Sequence, residues 1–270
     1  ACAFNLLLGY TGLLSFGHAA YFGAGAYTTG YVMTSWATTP ELGLLFGVVG
    51  AALLGAVFGG LAIRRQGNYF AMITLALAQM LYFFCLQAPF TGGEDGLQGV
   101  PRGKLFGLIN LGNDDVMYAF VSLVFLGGFW LIDRIIRSPF GQVLKSIREN
   151  EDRALSLGYD VDRYKLVAFV LSSAIAGLAG ATKTLTFGFA TLTDVFWGPS
   201  GEVVLMTLVG GVGTVLGPVI GAVVIIVLQN ELADKVGSWV LVILGVIFVV
   251  NVLLFRKGIV GEITARFSKD

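Results

Sequence analysis

The chain of 270 residues holds one histidine, His18, and Ser15 stands three residues before it. On a helix that spacing puts both side chains on one face, so a serine nucleophile with a histidine base has to be weighed. Such a pair needs its hydroxyl bonded to the ring and donors placed for an oxyanion. Adjacent side chains of one helix do not supply that geometry, and a hydrogen-bonded structural histidine is the expectation. Glu94 and Asp95 form an adjacent acidic pair, far short of a calcium loop. Cys2 and Cys85 both lie in apolar sequence and read as small buried residues rather than a disulfide or a metal site. No Gly-Lys-Ser/Thr phosphate loop is present and no Gly-x-Gly-x-x-Gly follows a strand, so nucleotide chemistry is not expected on this chain. No catalytic residue and no metal ligand emerge.

The elements that must position these groups follow from composition. Hydrophobic residues make up 56% of the chain, against 17 basic and 17 acidic residues. Mean hydropathy is +0.82. A soluble domain is about 25% charged, and this chain reaches 13%. That excludes a soluble enzyme, a nucleic-acid binder and a disordered chain. It implies an all-α polytopic membrane bundle, because spanning backbone must satisfy its own hydrogen bonds and no ten-residue barrel pattern appears. About 20 apolar residues cross the hydrocarbon core. Candidate spans are 43–63, 69–87, 116–136, 166–190 and 236–255, and 2–34 and 203–230 are apolar but broken by glycine. Thirty-eight glycines suit close helix packing and broken membrane helices.

Basic residues in short loops set orientation. Arg64 and Arg65, the group from Arg134 to Lys165, and the tail with Arg256, Lys257, Arg266 and Lys269 are expected in the cytoplasm. The loop 88–115, with Glu94, Asp95, Asp114 and Asp115 against Arg102 and Lys104, is expected outside, as a solvated turn or a docking surface for an external partner. The whole of 1–270 reads as one transmembrane domain. A cytoplasmic C-terminus requires 203–230 to form a re-entrant pair or an extra crossing. Lys183 is the sole charge between Lys165 and Asp194. A helix starting near Lys165 puts it about 27 Å along, where it either snorkels to the outer interface or contacts a substrate path.

Two segments are interrupted. The first, 5–26, contains Gly9, Gly12, Gly17, Gly23 and Gly25 with Thr11, Ser15 and His18. The second, 210–222, contains Gly210, Gly213 and Pro218, and proline breaks or kinks a helix. Broken backbone at membrane depth survives only inside protein or along a water-filled path. Paired interruptions in two halves suggest an internal repeat around a central path, although the likeness rests on Gly9/Gly12 against Gly210/Gly213. Gly9, Thr11, Gly12, Ser15, His18, Gly210, Gly213 and Pro218, with Thr74 and Gln79 of an uncharged span, are the candidate translocation path. Packing of small residues, with Thr74 on its own helix and Gln79 on a neighbour, is the alternative.

Thirteen charges fall within the 33 residues from Asp133 to Lys165. Within the segment 138–164, Val143, Leu144 and Ile147 share a face, Ser146 or Asn150 can cap a helix, and Gly158 can stop one. Balanced charge argues against an anionic-lipid anchor. A short mixed-charge helix over Ile147–Gly158 suits a groove on a protein partner.

The run "RENEDRALSLGYDVDRYK" resembles the coupling loop of ABC importer permeases, with Glu151, Ala154 and Gly158 on the pattern. The hydrophobic-proline tail of the maltose-type version is missing. The likeness extends through "NLLLGYTGLLSFGHAAYFGAGAY", "YFAMITLALAQ", "TGGEDGLQGVP", "SPFGQVLKSIRENEDRALSLGY", "SSAIAGLAGA" and "LVGGVGTVLGPVIGA". Together these resemble the branched-chain amino acid permease family, LivM-like branch. The resemblance implies a permease subunit of an ATP-driven importer in the bacterial inner membrane, with further sequence ahead of Ala1. Its implied partners are a related permease, two cytoplasmic ATPases that bind ATP and Mg, and a periplasmic substrate-binding protein. Implied substrates are leucine, isoleucine, valine, other amino acids, urea or short amides. Arg148, Glu149, Asn150, Glu151, Arg153, Ala154, Leu157 and Gly158 are the expected ATPase contact. The rival is a standalone secondary transporter or channel, which would ordinarily carry buried carboxylates in its spans; the long uncharged spans carry none.

Overall fold

A computed structural model describes residues 1–65 and 67–236, together with 243, 245, 246, 249, 258 and 260–262. The chain is a helical membrane bundle. Helices α1 (Cys2–Thr11) and α2 (His18–Ser35) divide the first interrupted segment. Four described helices are long and apolar enough to cross a membrane: α3 (Pro40–Ala62), α4 (Asn68–Gln87), α5 (Asp114–Arg137) and α8 (Val161–Phe187). Between the last two lie α6 (Pro139–Glu149) and α7 (Glu151–Ser156). The series closes with α9 (Trp197–Gly210) and α10 (Gly217–Val236), which divide the second interrupted segment. The spans expected at 43–63, 69–87, 116–136 and 166–190 thus fall on α3, α4, α5 and α8. The one expected at 236–255 lies mostly outside the described residues, and Arg256, Lys257, Arg266 and Lys269 lie wholly outside them.

Helix ends follow local chemistry. Asn113 caps α5 by accepting from the Asp115 N–H, acidic residues occupy its first turn, and Arg134 and Arg137 occupy its last, each opposing the helix dipole. Gly188 closes α8 in the left-handed conformation at φ 76°, which glycine adopts without a Cβ penalty.

Helix α8 packs on both α2 and α3. Glycines permit the approach. A methyl on Gly180 would overlap the Phe22 carbonyl, and one on Gly25 would overlap the Gly177 carbonyl. Such close backbone contact is how membrane helices gain packing when the lipid is as apolar as they are. Beside it Tyr21, Phe58, Phe70 and Phe169 form an edge-to-face cluster, with Tyr21 and Phe169 centroids 5.4 Å apart. Helix α5 lies at the periphery and exposes Tyr118, Leu123, Leu126 and Trp130, an apolar surface suited to lipid.

The segment after α4 is more ordered than a plain turn. A short hairpin pairs β1 (Lys104–Leu105) with β2 (Ile109–Asn110), antiparallel. Leu97 bridges to Ala190, and the Val100 N–H donates to the Gly188 carbonyl at 2.9 Å. Arg102 pairs with Asp114 at 2.6 Å and donates to the Thr186 carbonyl at 3.0 Å. The loop is strapped to the far end of α8, while Phe106 and Leu108 stay exposed at its tip.

Candidate functional site: the charged segment and the broken-helix junction

The charged segment starts at Ser138, whose hydroxyl accepts from the Gly141 N–H at 3.3 Å. Pro139 follows as the first helical residue, where its missing N–H is not needed. Leu144 and Ile147 bury the inner face of α6. At Asn150 the backbone becomes extended, φ −158° and ψ 102°, and α6 stops. The Asn150 carboxamide oxygen accepts from the Arg153 N–H at 3.0 Å and opens α7. The single helix expected over Ile147–Gly158 is therefore two helices jointed at Asn150. The cause is local: asparagine competes for backbone donors and favours a cap over a helix interior.

Helix α7 is held from beneath. Ala154 is 1% exposed and packs in a cluster with Ile147 and Val161. Lys165, buried in α8, donates to Glu151 at 2.7 Å. Gly158 ends the element at φ 88°, with its N–H on the Leu155 carbonyl at 2.9 Å and the Tyr159 N–H on the Ala154 carbonyl at 3.2 Å. Of the expected contact residues, Arg148, Glu149, Asn150, Arg153, Leu157 and Gly158 are exposed, but the Arg148 guanidinium reaches inward to the Gly9 carbonyl. Ala154 faces the bundle and seats α7 instead. Leu155, 53% exposed, and Leu157, 69% exposed, point away from the bundle. An open cleft of about 590 Å³ runs alongside, between the Ile63–Arg64 turn and α7, with Glu151, Leu155, Asp160 and Asp162 on its walls.

The two interrupted segments meet. Gly12 closes α1 at φ 76°. Residues 13–17 leave the helix, and the Phe16 N–H donates to the Thr74 hydroxyl at 3.2 Å. The second break runs through Gly211 and Gly213, both at positive φ. Pro218 does not kink a helix; it is the second residue of α10. Gly9 lies directly on Gly213, since a methyl on Gly9 would come within 2.7 Å of the Gly213 nitrogen. Asn5 secures the pairing: it donates to the Thr214 carbonyl at 2.8 Å and accepts from the Gly213 N–H at 2.9 Å. The Tyr10 hydroxyl donates to the Gly213 carbonyl at 2.9 Å. Arg148 of α6 donates to the Gly9 carbonyl. Gly210 packs between α9 and α10, against Gly217 and Gly221.

Most of the remaining polar positions are occupied. Thr11 donates to its own helix at Leu7. Thr74 does the same at Ala71, 2.9 Å, while accepting from Phe16. Ser15 lies in the break and accepts from the Gly17 N–H at 3.2 Å. It shares no helix face with His18, which begins α2. The His18 Nε2 sits 2.8 Å from the Ser172 hydroxyl, and that hydroxyl donates to the Ala3 carbonyl at 2.6 Å. The Gln79 amide nitrogen has no hydrogen-bond partner among the described residues. Ser200, which sequence reasoning passed over although it completes a Gly198-Pro199-Ser200-Gly201 run, is buried and accepts from the Ala19 N–H at 2.9 Å, not from His18.

A family model described as "Branched-chain amino acid transport system / permease component" matches residues 1–252. The chain belongs to this family. It is 27% identical to the high-affinity branched-chain amino acid transport system permease protein LivM of Escherichia coli (strain K12), over 94% of this chain and 65% of that protein. It is 25% identical to a probable LivM of Methanocaldococcus jannaschii, over 83% of this chain and 75% of that one. Similarity reaches the ribose import permease protein RbsC of Bacillus subtilis, 32% identical over 67% of this chain and 58% of that protein. The chain spans 65% of the length of the Escherichia coli LivM. No solved structure matches it.

One polar pair of this permease escaped sequence reasoning. Lys183 does not snorkel free: it pairs with Asp194 at 2.8 Å, its ammonium lies 4.3 Å from the Phe189 ring centre, and Asp194 also accepts from the Thr191 N–H at 2.9 Å. A lone lysine at membrane depth followed by the next available carboxylate was the signal. The pair fixes the turn between α8 and α9 beside Gly23, where a methyl would overlap the Val195 side chain. Lys183→Met is expected to destabilise the permease by about 2 kcal/mol, less than the ~3–5 kcal/mol of a fully buried pair, because the Lys183 side chain keeps 20% of its surface exposed. Lys183→Met with Asp194→Asn should recover most of the loss. Thermal unfolding of the purified variants in detergent checks both.

Proposed function

We propose that this chain is the membrane subunit of an ATP-driven importer for branched-chain or related amino acids, working by alternating access in the bacterial inner membrane. In this reading α6 and α7 lie in the cytoplasm, as does the C-terminus, and the strapped loop 88–115 lies outside. Two cytoplasmic ATPases bind ATP and Mg, a related permease completes the channel, and a periplasmic binding protein delivers substrate to the outer face. This chain makes no covalent chemistry; it supplies the path and the contact that moves it.

The observation that supports this most is α7 itself. It is a six-residue helix seated by one buried alanine and one ion pair, with Leu155 and Leu157 turned to solvent beside a charged cleft. Two neighbouring exposed leucines beside a charged cleft suit a contact with a protein partner. Arg64, Glu151, Asp160 and Asp162 around them offer both signs of charge for orienting that partner. The glycine-rich breaks at 12–17 and 211–216, with Thr74, Ser15 and His18 packed around the first, form the region where the path would open.

Isolation of the native complex through a tag on this chain tests the reading. The expected result is a complex containing an ATPase with phosphate-loop sequence and a second permease. Recovery of this chain alone, still supporting uptake of the amino acid, contradicts it and favours a standalone transporter.

A further inference from the structure

The last carbonyls of any helix lack partners within it. At the end of α1, the Gly12 N–H returns to Leu8 at 3.2 Å and Thr11 turns back to Leu7. The Gly9 carbonyl is taken by Arg148, which arrives from α6, 139 residues away in sequence. The same guanidinium lies against the other break, since a methyl on Gly213 would stand 3.0 Å from Arg148 Nη1. Lys145, three residues earlier on α6, holds its ammonium 5.7 Å from the centre of the Tyr10 ring. The Tyr10 hydroxyl in turn donates to Gly213. Two cations of α6 thus sit at the negative end of the α1 dipole, where each is favoured, and Arg148 also lies against the second break.

Arg148 is two residues from the Asn150 joint, and α7 begins at Glu151. Arg148 thus lies less than one helical turn from α7 and on the Gly9–Gly213 contact at the same time. Glycine at both positions leaves bare backbone for the guanidinium, and the planar fork of arginine can hold two acceptors that a lysine would reach one at a time.

We propose that Arg148 is the positioning residue through which movement of α7 reaches the junction of α1 with the α9–α10 turn. The proposal rests on the reading of α7 as the ATPase contact. It assigns Arg148 to transmission, in contrast to Leu155 and Leu157, which belong to docking. To bias the bundle, the Arg148 contact must differ between its two states: made with both breaks in one, loosened in the other.

The test is Arg148→Ala in the full complex reconstituted into liposomes, measuring ATP hydrolysed per amino acid imported. The expected variant still co-purifies with its ATPase, while the ATP consumed per import rises roughly tenfold, a usual size for coupling between sites. Arg148→Lys should recover part of that loss. Arg148→Met keeps the stem without donors and carries the same expectation where the alanine variant does not fold. An unchanged ratio in either neutral variant overturns the proposal and leaves the reading of α7 standing. Loss of the ATPase from a folded variant also overturns it, because Arg148 would then be a docking residue. A wild-type chain that retains no ATPase removes the reading of α7 itself, and the proposal with it.

Discussion

Gly180→Leu is expected to leave the permease without a folded bundle. The position lies where α8 crosses α2, and even a methyl there would overlap the Phe22 carbonyl. The obstacle is backbone, so no rotamer change relieves it. Gly25 opposes Gly177 in the same way, so α2 cannot slide along α8 to escape. Overpacking a core typically costs about 1–3 kcal/mol where side chains can give way. Here two helices must separate, and the loss should exceed that range. Gly60→Leu is the control, since nothing lies within 4 Å of a Cβ at Gly60. The measurement is the monodisperse fraction after detergent extraction, with the thermal midpoint of what remains. The control should match wild type and the Gly180 variant should aggregate. Equal stability of the two would show that the α2–α8 approach does not hold the fold.

The second large effect is functional. Leu155→Glu combined with Leu157→Glu is expected to abolish association with the ATPase while sparing the bundle. Both side chains are mainly exposed in this chain, so their replacement costs the isolated permease little. Burying a leucine at an interface is worth about 1.5–3 kcal/mol. Losing two, and placing two charges in the contact, should weaken association by roughly 10³-fold or more. Ala154→Glu is the contrasting variant. Ala154 faces the Ile147–Val161 cluster, so a charge there should unseat α7 and lower stability as well. Normal ATPase recovery with the double variant would place the contact elsewhere.

Much of this was legible in the sequence because charge is so costly in a membrane. The uncharged stretches 66–93 and 116–132 could be little other than spans, and they became α4 and α5. Glycine marked both breaks, Pro218 stood at the start of the helix after the second, and Asn150 and Gly158 marked the ends of α7. What was not legible is long-range. Asn5 meets Thr214 across 209 residues, and Arg148 meets Gly9 across 139. No periodicity reports such a contact, and a weak likeness between two glycine-rich segments turned out to be a place where they touch. Helical spacing misled at Ser15 and His18, because a shared face requires a shared helix and the break falls between them. Arg148 is exposed like its neighbours, yet its guanidinium turns to Gly9: sequence gives the charge of a side chain but not the direction in which it reaches.

The central claim, that this chain imports its solute only as the membrane part of an ATP-driven machine, is met most directly by uptake into liposomes holding the purified complex. Radiolabelled leucine, supplied with the binding protein, should accumulate above the outside concentration when hydrolysable ATP is present on the ATPase side. It should not accumulate with a non-hydrolysable analogue. Accumulation by the permease chain without ATPase or ATP, driven by an ion gradient, would contradict the account.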